Sequence, residues 1–258
     1  MQTVELAFEH FGEQHTTCPI LILHGFFASS RNWRGIAKQL AIHYPVYVLD
    51  MRNHGFSPHH EKMDYPAMAA DLEQFMDQQG ISKAHLIGHS MGGKIAMWFA
   101  FQHPQRIEKL IVVDIAPISY KHCFDSMINA LKSVPLSSLD NRKQAEEWLA
   151  SRISDANYRQ FLLQNLVFKD NQYSWRINLD FFQNNAQFIT AFPDTSSIPP
   201  YPYPILFLAG ETSGYVKENQ IYALFPQAKI TIINGTGHWL QVDAPEKFCL
   251  AVIEWLKT

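Results

Sequence analysis

The 258-residue chain is 47% hydrophobic and 17% charged, far from the low-hydrophobicity, high-charge composition of disordered proteins. Its formal net charge of −3 comes from 21 basic and 24 acidic residues with no basic run, which argues against nucleic acid as the main partner. A chain this long buries roughly three quarters of the surface its unfolded form exposes, so its core needs neither a metal nor a disulfide.

Residues 1–15 carry Glu5, Glu9 and Glu13 among alternating apolar positions, unlike a signal peptide. No run approaches the ~20 apolar residues of a membrane-spanning helix. Cys18, Cys123 and Cys249 are scattered without paired spacing, which suggests neither a disulfide framework nor a zinc site and fits a reducing compartment. The expectation is a soluble cytoplasmic globule.

Residues 19–23 (Pro-Ile-Leu-Ile-Leu) form a short apolar run that stops at His24-Gly25, as a buried parallel strand stops at a loop. The pattern recurs at 46–50, 84–87, 110–113, 205–209 and 229–233. Helical spacing falls between these runs. Asp64 can cap a helix with Pro66 in its first turn, and Met68, Leu72, Phe75 and Met76 then share one face before Gly80 ends it. Residues 94–102 are apolar nearly all round, which predicts a helix buried on most sides. Cys249, Val252, Ile253 and Leu256 give another helix after Pro245. Alternation of this kind predicts an α/β fold, a doubly wound, mostly parallel sheet with helices on both faces.

One segment breaks the rhythm. No glycine occurs from Lys94 through Ala209, and no convincing buried strand from Ser119 to Pro200. Three helical patterns stand there instead: Ala145, Trp148, Leu149 and Ile153; Tyr158, Phe161, Leu162 and Leu166 behind the cap Asp155; and Leu179, Phe182, Ala186 and Ile189. Residues 118–200 therefore read as a helical lid inserted between core segments 1–117 and 201–258.

Gly88-His89-Ser90-Met91-Gly92 matches the nucleophile-elbow pattern G-x-S-x-G, with the strand before it and the helix after it that the motif requires. The elbow residue holds a strained backbone, and glycines beside it let strand and helix approach. A serine hydroxyl needs a neighbouring base. Of twelve histidines, His238 follows the last apolar run, at the same carboxyl edge of the sheet as Ser90, where open α/β sheets gather their ligands. His89 sits inside the elbow and points away from the hydroxyl. His24 and His54 each precede a loop glycine and suit structural or oxyanion-loop roles, and His59 and His60 suit a solvated turn.

The base in turn needs a carboxylate to orient it. Asp114 and Glu211 both follow strands, while Asp50 suits a structural loop anchor. The oxyanion hole would use the backbone N–H groups of Met91, in the elbow, and Phe26, after Gly25. Phe27, Trp148, Phe161, Trp175, Phe182 and Trp239 are candidates for an acyl pocket, with Phe168 and Phe181 as further lid aromatics.

His24-Gly25-Phe26, the 50–57 segment, the 64–68 segment, 88–94 and Asp114-Ile115-Ala116-Pro117 together resemble the α/β-hydrolase superfamily, and within it the bacterial YbfF-type carboxylesterases. The resemblance covers the chain up to Pro117 and again from Ile205; the insertion matches only in size and helical character. Many of these enzymes carry their acid in G-x-x-D after the penultimate strand, where this chain reads Gly210-Glu211-Thr212-Ser213. YbfF-type enzymes are similar in lacking that aspartate and take it from D-I-A-P, which implies Asp114.

The expected function is a serine carboxylesterase acting on small-to-medium acyl esters, with Ser90, His238 and Asp114 as triad, no cofactor and no metal. An acyl-CoA thioesterase would use the same residues, with Lys94, Arg52 or Arg142, by default surface residues, meeting phosphates. Fold alone does not exclude a carbon–carbon bond hydrolase. Ser90 stands where a haloalkane dehalogenase needs a carboxylate, and a non-catalytic ligand receptor is the alternative from outside the enzymes.

Overall fold

The computed structural model describes residues 2–13, 17–121 and 124–258. Cys123, and with it one of the three thiols, lies outside the described residues. The core is a seven-stranded sheet in the order β1-β3-β2-β4-β5-β8-β9. Its strands are β1 (Phe8–Phe11), β2 (Ile20–Leu23), β3 (Val46–Leu49), β4 (Ala84–His89), β5 (Ile107–Val113), β8 (Ile205–Gly210) and β9 (Ala228–Ile233). Only β1 runs antiparallel, against β3; the other pairings are parallel. The six apolar runs read from sequence are the six parallel strands.

The central strands are apolar through most of their length because both faces are covered. Strand β2 is apolar throughout, whereas β4 carries His85 and His89 and β5 carries Glu108 and Lys109 near its start. Leu21 and Leu23 join the apolar cluster on one face of the sheet, and Ile20 and Ile22 that on the other. The first face carries α2 (Tyr65–Gln78), α3 (Met91–Gln102) and α8 (Glu218–Leu224); the second carries α1 (Arg34–Leu40), the single turn α9 (Leu240–Asp243) and α10 (Pro245–Leu256). Each such Leu or Ile withdrawn from water contributes about 1.5–3 kcal/mol, so the sheet is the rigid frame on which the loops stand. The α2 start follows the sequence: Asp64 accepts from the Ala67 N–H at 2.8 Å, and Gly80 leaves the helix at φ +66°.

Between β5 and β8 the chain adds α4 (Asp125–Lys132), α5 (Arg142–Ala150), α6 (Ala156–Leu163), the hairpin β6 (Leu166–Lys169) and β7 (Gln172–Trp175), and α7 (Leu179–Thr190). This is the helical lid, and its buried side chains, among them Leu131, Leu149, Leu162 and Phe182, belong to the same apolar cluster as α2 and α3. The hairpin, with β1, α1, α4 and α8, is an addition to what periodicity predicts. Its turn is Asp170-Asn171, both at positive φ (51° and 58°), the geometry of a two-residue hairpin turn without the usual glycine. No described helix is long and apolar enough to cross a membrane.

Candidate active site

The carboxyl ends of three parallel strands converge on one cavity. Ser90 lies between β4 and α3 at φ 53°, ψ −115°, a sparsely populated conformation that costs on the order of 1–3 kcal/mol. The glycines beside it are a steric requirement. A Cβ on Gly88 would sit 2.3 Å from the Gly92 carbonyl oxygen, and one on Gly92 would sit 2.1 Å from that of Leu23. The Ser90 N–H donates to Val113 O at 3.0 Å, which fixes the elbow to the end of β5.

Asp114 follows β5 directly, also at positive φ (51°), with its N–H bonded to Leu208 O at 2.8 Å. Its carboxylate is fully buried and fully engaged. Oδ1 accepts from the Gly210 N–H at 3.0 Å; Oδ2 accepts from Ser213 Oγ at 2.5 Å and from His238 Nδ1 at 2.7 Å. Burial alone would push this carboxyl up, but the hydrogen bonds from His238, Ser213 and Gly210 outweigh it and hold it below its ordinary range. An ionised Asp114 fixes the proton of His238 on Nδ1 and leaves Nε2 without one, able to accept.

His238 stands in the loop after β9, and both it and Ser90 line the cavity. Among the described residues no hydrogen bond joins Ser90 Oγ to His238 Nε2, a contact that in ligand-free enzymes often forms only with substrate in place. His89 Nε2 donates to the His238 carbonyl at 2.8 Å. Burial pushes the His89 imidazole down to about 3, so it anchors the His238 loop as a neutral donor. Glu211, the other carboxylate candidate, is exposed and accepts from the Gly235 N–H at 2.8 Å; it makes no hydrogen bond to His238.

Phe26 and Met91 also line the cavity. Met91 opens α3, and neither its N–H nor that of Phe26 meets a protein acceptor among the described residues. Two unspent donors beside a serine, one at a helix N-terminus, suit a developing oxyanion.

The cavity measures about 540 Å³. Of the six pocket aromatics read from sequence, Phe27, Phe161 and Trp239 line it. Trp148, Trp175 and Phe182 do not. Trp148 faces outward, donating to Ser133 Oγ at 3.1 Å beneath the Arg152 guanidinium. Trp175 sits on the hairpin, packed against the core. Phe182 is fully buried and stacks on Phe26 at 4.5 Å, backing the wall rather than forming it. Phe168 is exposed on the hairpin. Periodicity marks which residues a helix buries but not which gap they face, so Tyr65, Tyr120, Tyr158 and Tyr215 went unmarked although they form much of the lining.

Other sequence readings are corrected by burial. Arg52 and Lys94 are not surface residues. Arg52 is buried in a two-bond ion pair with Asp71 at 2.6 and 2.7 Å, and Lys94 is 1% exposed. Asp50 anchors its loop, accepting from the Ser30 and Phe56 N–H groups. His24 and His54 are buried behind Phe26, where burial lowers both imidazoles. The role of Ser213, donor to Asp114, was hidden in a departure from the G-x-x-D pattern.

The alpha/beta hydrolase fold model matches residues 19–245. The chain is 38% identical to the sn-1-specific diacylglycerol lipase ABHD11 of Xenopus laevis, covering all of this chain and 85% of that protein. It is 36% identical to the esterase YbfF of Escherichia coli over 94% of each chain. Among solved structures, a marine microorganism esterase superposes with a TM-score of 0.93 at 40% identity, covering 98% of this chain and 100% of that one.

Proposed function

The chain belongs to the α/β-hydrolase family, and on that premise we propose that it is a serine carboxylesterase hydrolysing small-to-medium acyl esters through an acyl-enzyme. The observation that carries the reading is the 2.7 Å hydrogen bond from His238 to the buried Asp114, with His238 and Ser90 lining one cavity. In the forward step His238 Nε2 takes the Ser90 proton as Oγ attacks the ester carbonyl. The Phe26 and Met91 N–H groups receive the oxyanion, and the imidazolium then protonates the departing alcohol. Water enters by the same route, giving up its proton to His238, and Ser90 recovers its own as the acid leaves.

The segment 118–200 acts as lid over this cavity, between core segments 1–117 and 201–258. We place the enzyme nearest the YbfF-type esterases on the strength of the 114–117 segment that supplies its acid. Its likeness to the diacylglycerol lipases makes glycerolipid esters a second substrate class, one that the aromatic lining suits. A CoA thioester is less favoured, because of the three bases that could meet its phosphates Arg52 is spent on Asp71 and Arg142 on the carbonyls of Leu163 and Leu166, which leaves Lys94 alone. A receptor without catalysis has no use for a strained serine beside two free donors. The unpaired Cys18 and Cys249 accord with a reducing cytoplasm.

The test is labelling with a fluorophosphonate and turnover of a 4-nitrophenyl ester ladder. Expected are an adduct on Ser90, short-to-medium chain preference and activity abolished in Ser90→Ala. No adduct and no turnover would refute the proposal.

A further inference from the structure

Among the described residues that line the cavity, Lys94 is the buried cation that this mechanism leaves unused. It sits one helical turn beyond Ser90 on α3 and lines the same cavity. Its Nζ donates to the carbonyls of Thr190 at 2.8 Å and Ala191 at 2.7 Å, at the end of α7. The rings of Tyr65 and Tyr120 lie 5.7 and 4.8 Å from it. An ammonium has three N–H donors, and these two carbonyls engage two of them. Among the described residues no carboxylate pairs with it, and burial pushes it down to about 7.

A purely structural lysine here is a poor bargain. Burying an ammonium without a counter-ion is costly, and Thr190 O already accepts from the Tyr120 N–H at 2.9 Å. The charge needs a partner, and among the described residues none supplies it. Lys121, the residue after Tyr120, adds a second positive group to the lining. The lining carboxylate Asp155 belongs to α6, where it caps the helix through the Tyr158 N–H at 3.0 Å.

We propose that Lys94 is the anion-binding subsite of the cavity and that the ester this protein hydrolyses carries a carboxylate or phosphate that docks on its ammonium. The proposal rests on the esterase reading above and specifies its substrate class. The aromatic rings around Nζ exclude water and strengthen the pairing, while the Thr190 and Ala191 carbonyls hold the amine in place between substrates.

Two ester pairs test it and show on which side of the ester the anion lies. Mono-4-nitrophenyl adipate is compared with 4-nitrophenyl hexanoate, which has the same number of acyl carbons, and 4-carboxyphenyl hexanoate with 4-acetylphenyl hexanoate. In at least one pair, kcat/KM is expected to favour the anionic member about tenfold in the wild type. Lys94→Met should erase that ratio, and Lys94→Arg should keep part of it. Should the variants fail to fold, competitive inhibition of the wild type by adipate against hexanamide reads the same preference. Preference for the neutral ester in both pairs by an active enzyme, or a ratio unmoved in Lys94→Met, overturns the inference alone. Turnover of none of the four esters overturns the esterase reading and this inference with it.

Discussion

The side-chain amide of Asn165 donates to the backbone carbonyl of Phe27 at 2.8 Å, tying the lid to the loop whose Phe26 lines the cavity. Both residues are buried, and Phe27 is held at φ 64°, a conformation that a phenylalanine rarely adopts. The same Nδ2 reaches Leu162 O at 3.3 Å, so the amide orientation is set by two acceptors. A lid residue 138 positions away in the chain therefore braces the proposed oxyanion loop.

Asn165→Ala leaves the Phe27 carbonyl unpaired, at a stability cost of about 1–3 kcal/mol. Steady-state kinetics should show kcat reduced roughly tenfold with KM little changed, the pattern of a lost transition-state interaction. A fall in melting temperature with kcat intact would mean that the bond merely holds the lid.

The acid can be assigned by substitution. Asp114→Asn should lower kcat by about three to four orders of magnitude, because the imidazole loses its fixed tautomer. Glu211→Gln should stay within a factor of about three, since its carboxylate serves the Gly235 N–H. The opposite ranking would move the acid to Glu211. Ser213→Ala removes one donor from Asp114, so its kcat should fall between those of the other two variants.

Lys94 gives stability a pH dependence of definite sign. Its amine is pushed down to about 7 in the folded protein, against about 10.4 in an unfolded chain. Between these values the unfolded chain holds the extra proton, so the Lys94 contribution to stability rises as pH goes from 7 to 9. Denaturant titrations of the wild type minus Lys94→Met should show that rise. A flat or falling difference would mean that the amine stays charged in the ligand-free protein.

The Arg52–Asp71 pair predicts a purely structural effect. Both side chains are fully buried, and Asp71 also accepts from the Val4 N–H at 2.8 Å. Arg52→Ala strands a buried carboxylate and should cost about 3–5 kcal/mol. The double variant Arg52→Met, Asp71→Leu should recover much of it by chemical denaturation. Equal losses in the single and double variants would contradict this account.

What the sequence by itself determined was local. Six apolar runs ending in polar or glycine loops define the parallel strands, since a strand covered on both faces is apolar over the stretch that the helices cover. Gly88 and Gly92 define the elbow, because no side chain fits where strand meets helix. The hairpin of residues 166–175 escaped because Asp170 and Asn171 make its turn without glycine. Tertiary structure decided the remainder. Asp114 and His238 meet across 124 positions, Lys94 lost its place on the surface to α7, and Trp148 turned away from the cavity while Tyr158 turned into it. Such choices depend on which elements pack against one another, and a residue's own neighbours in the chain carry no record of that.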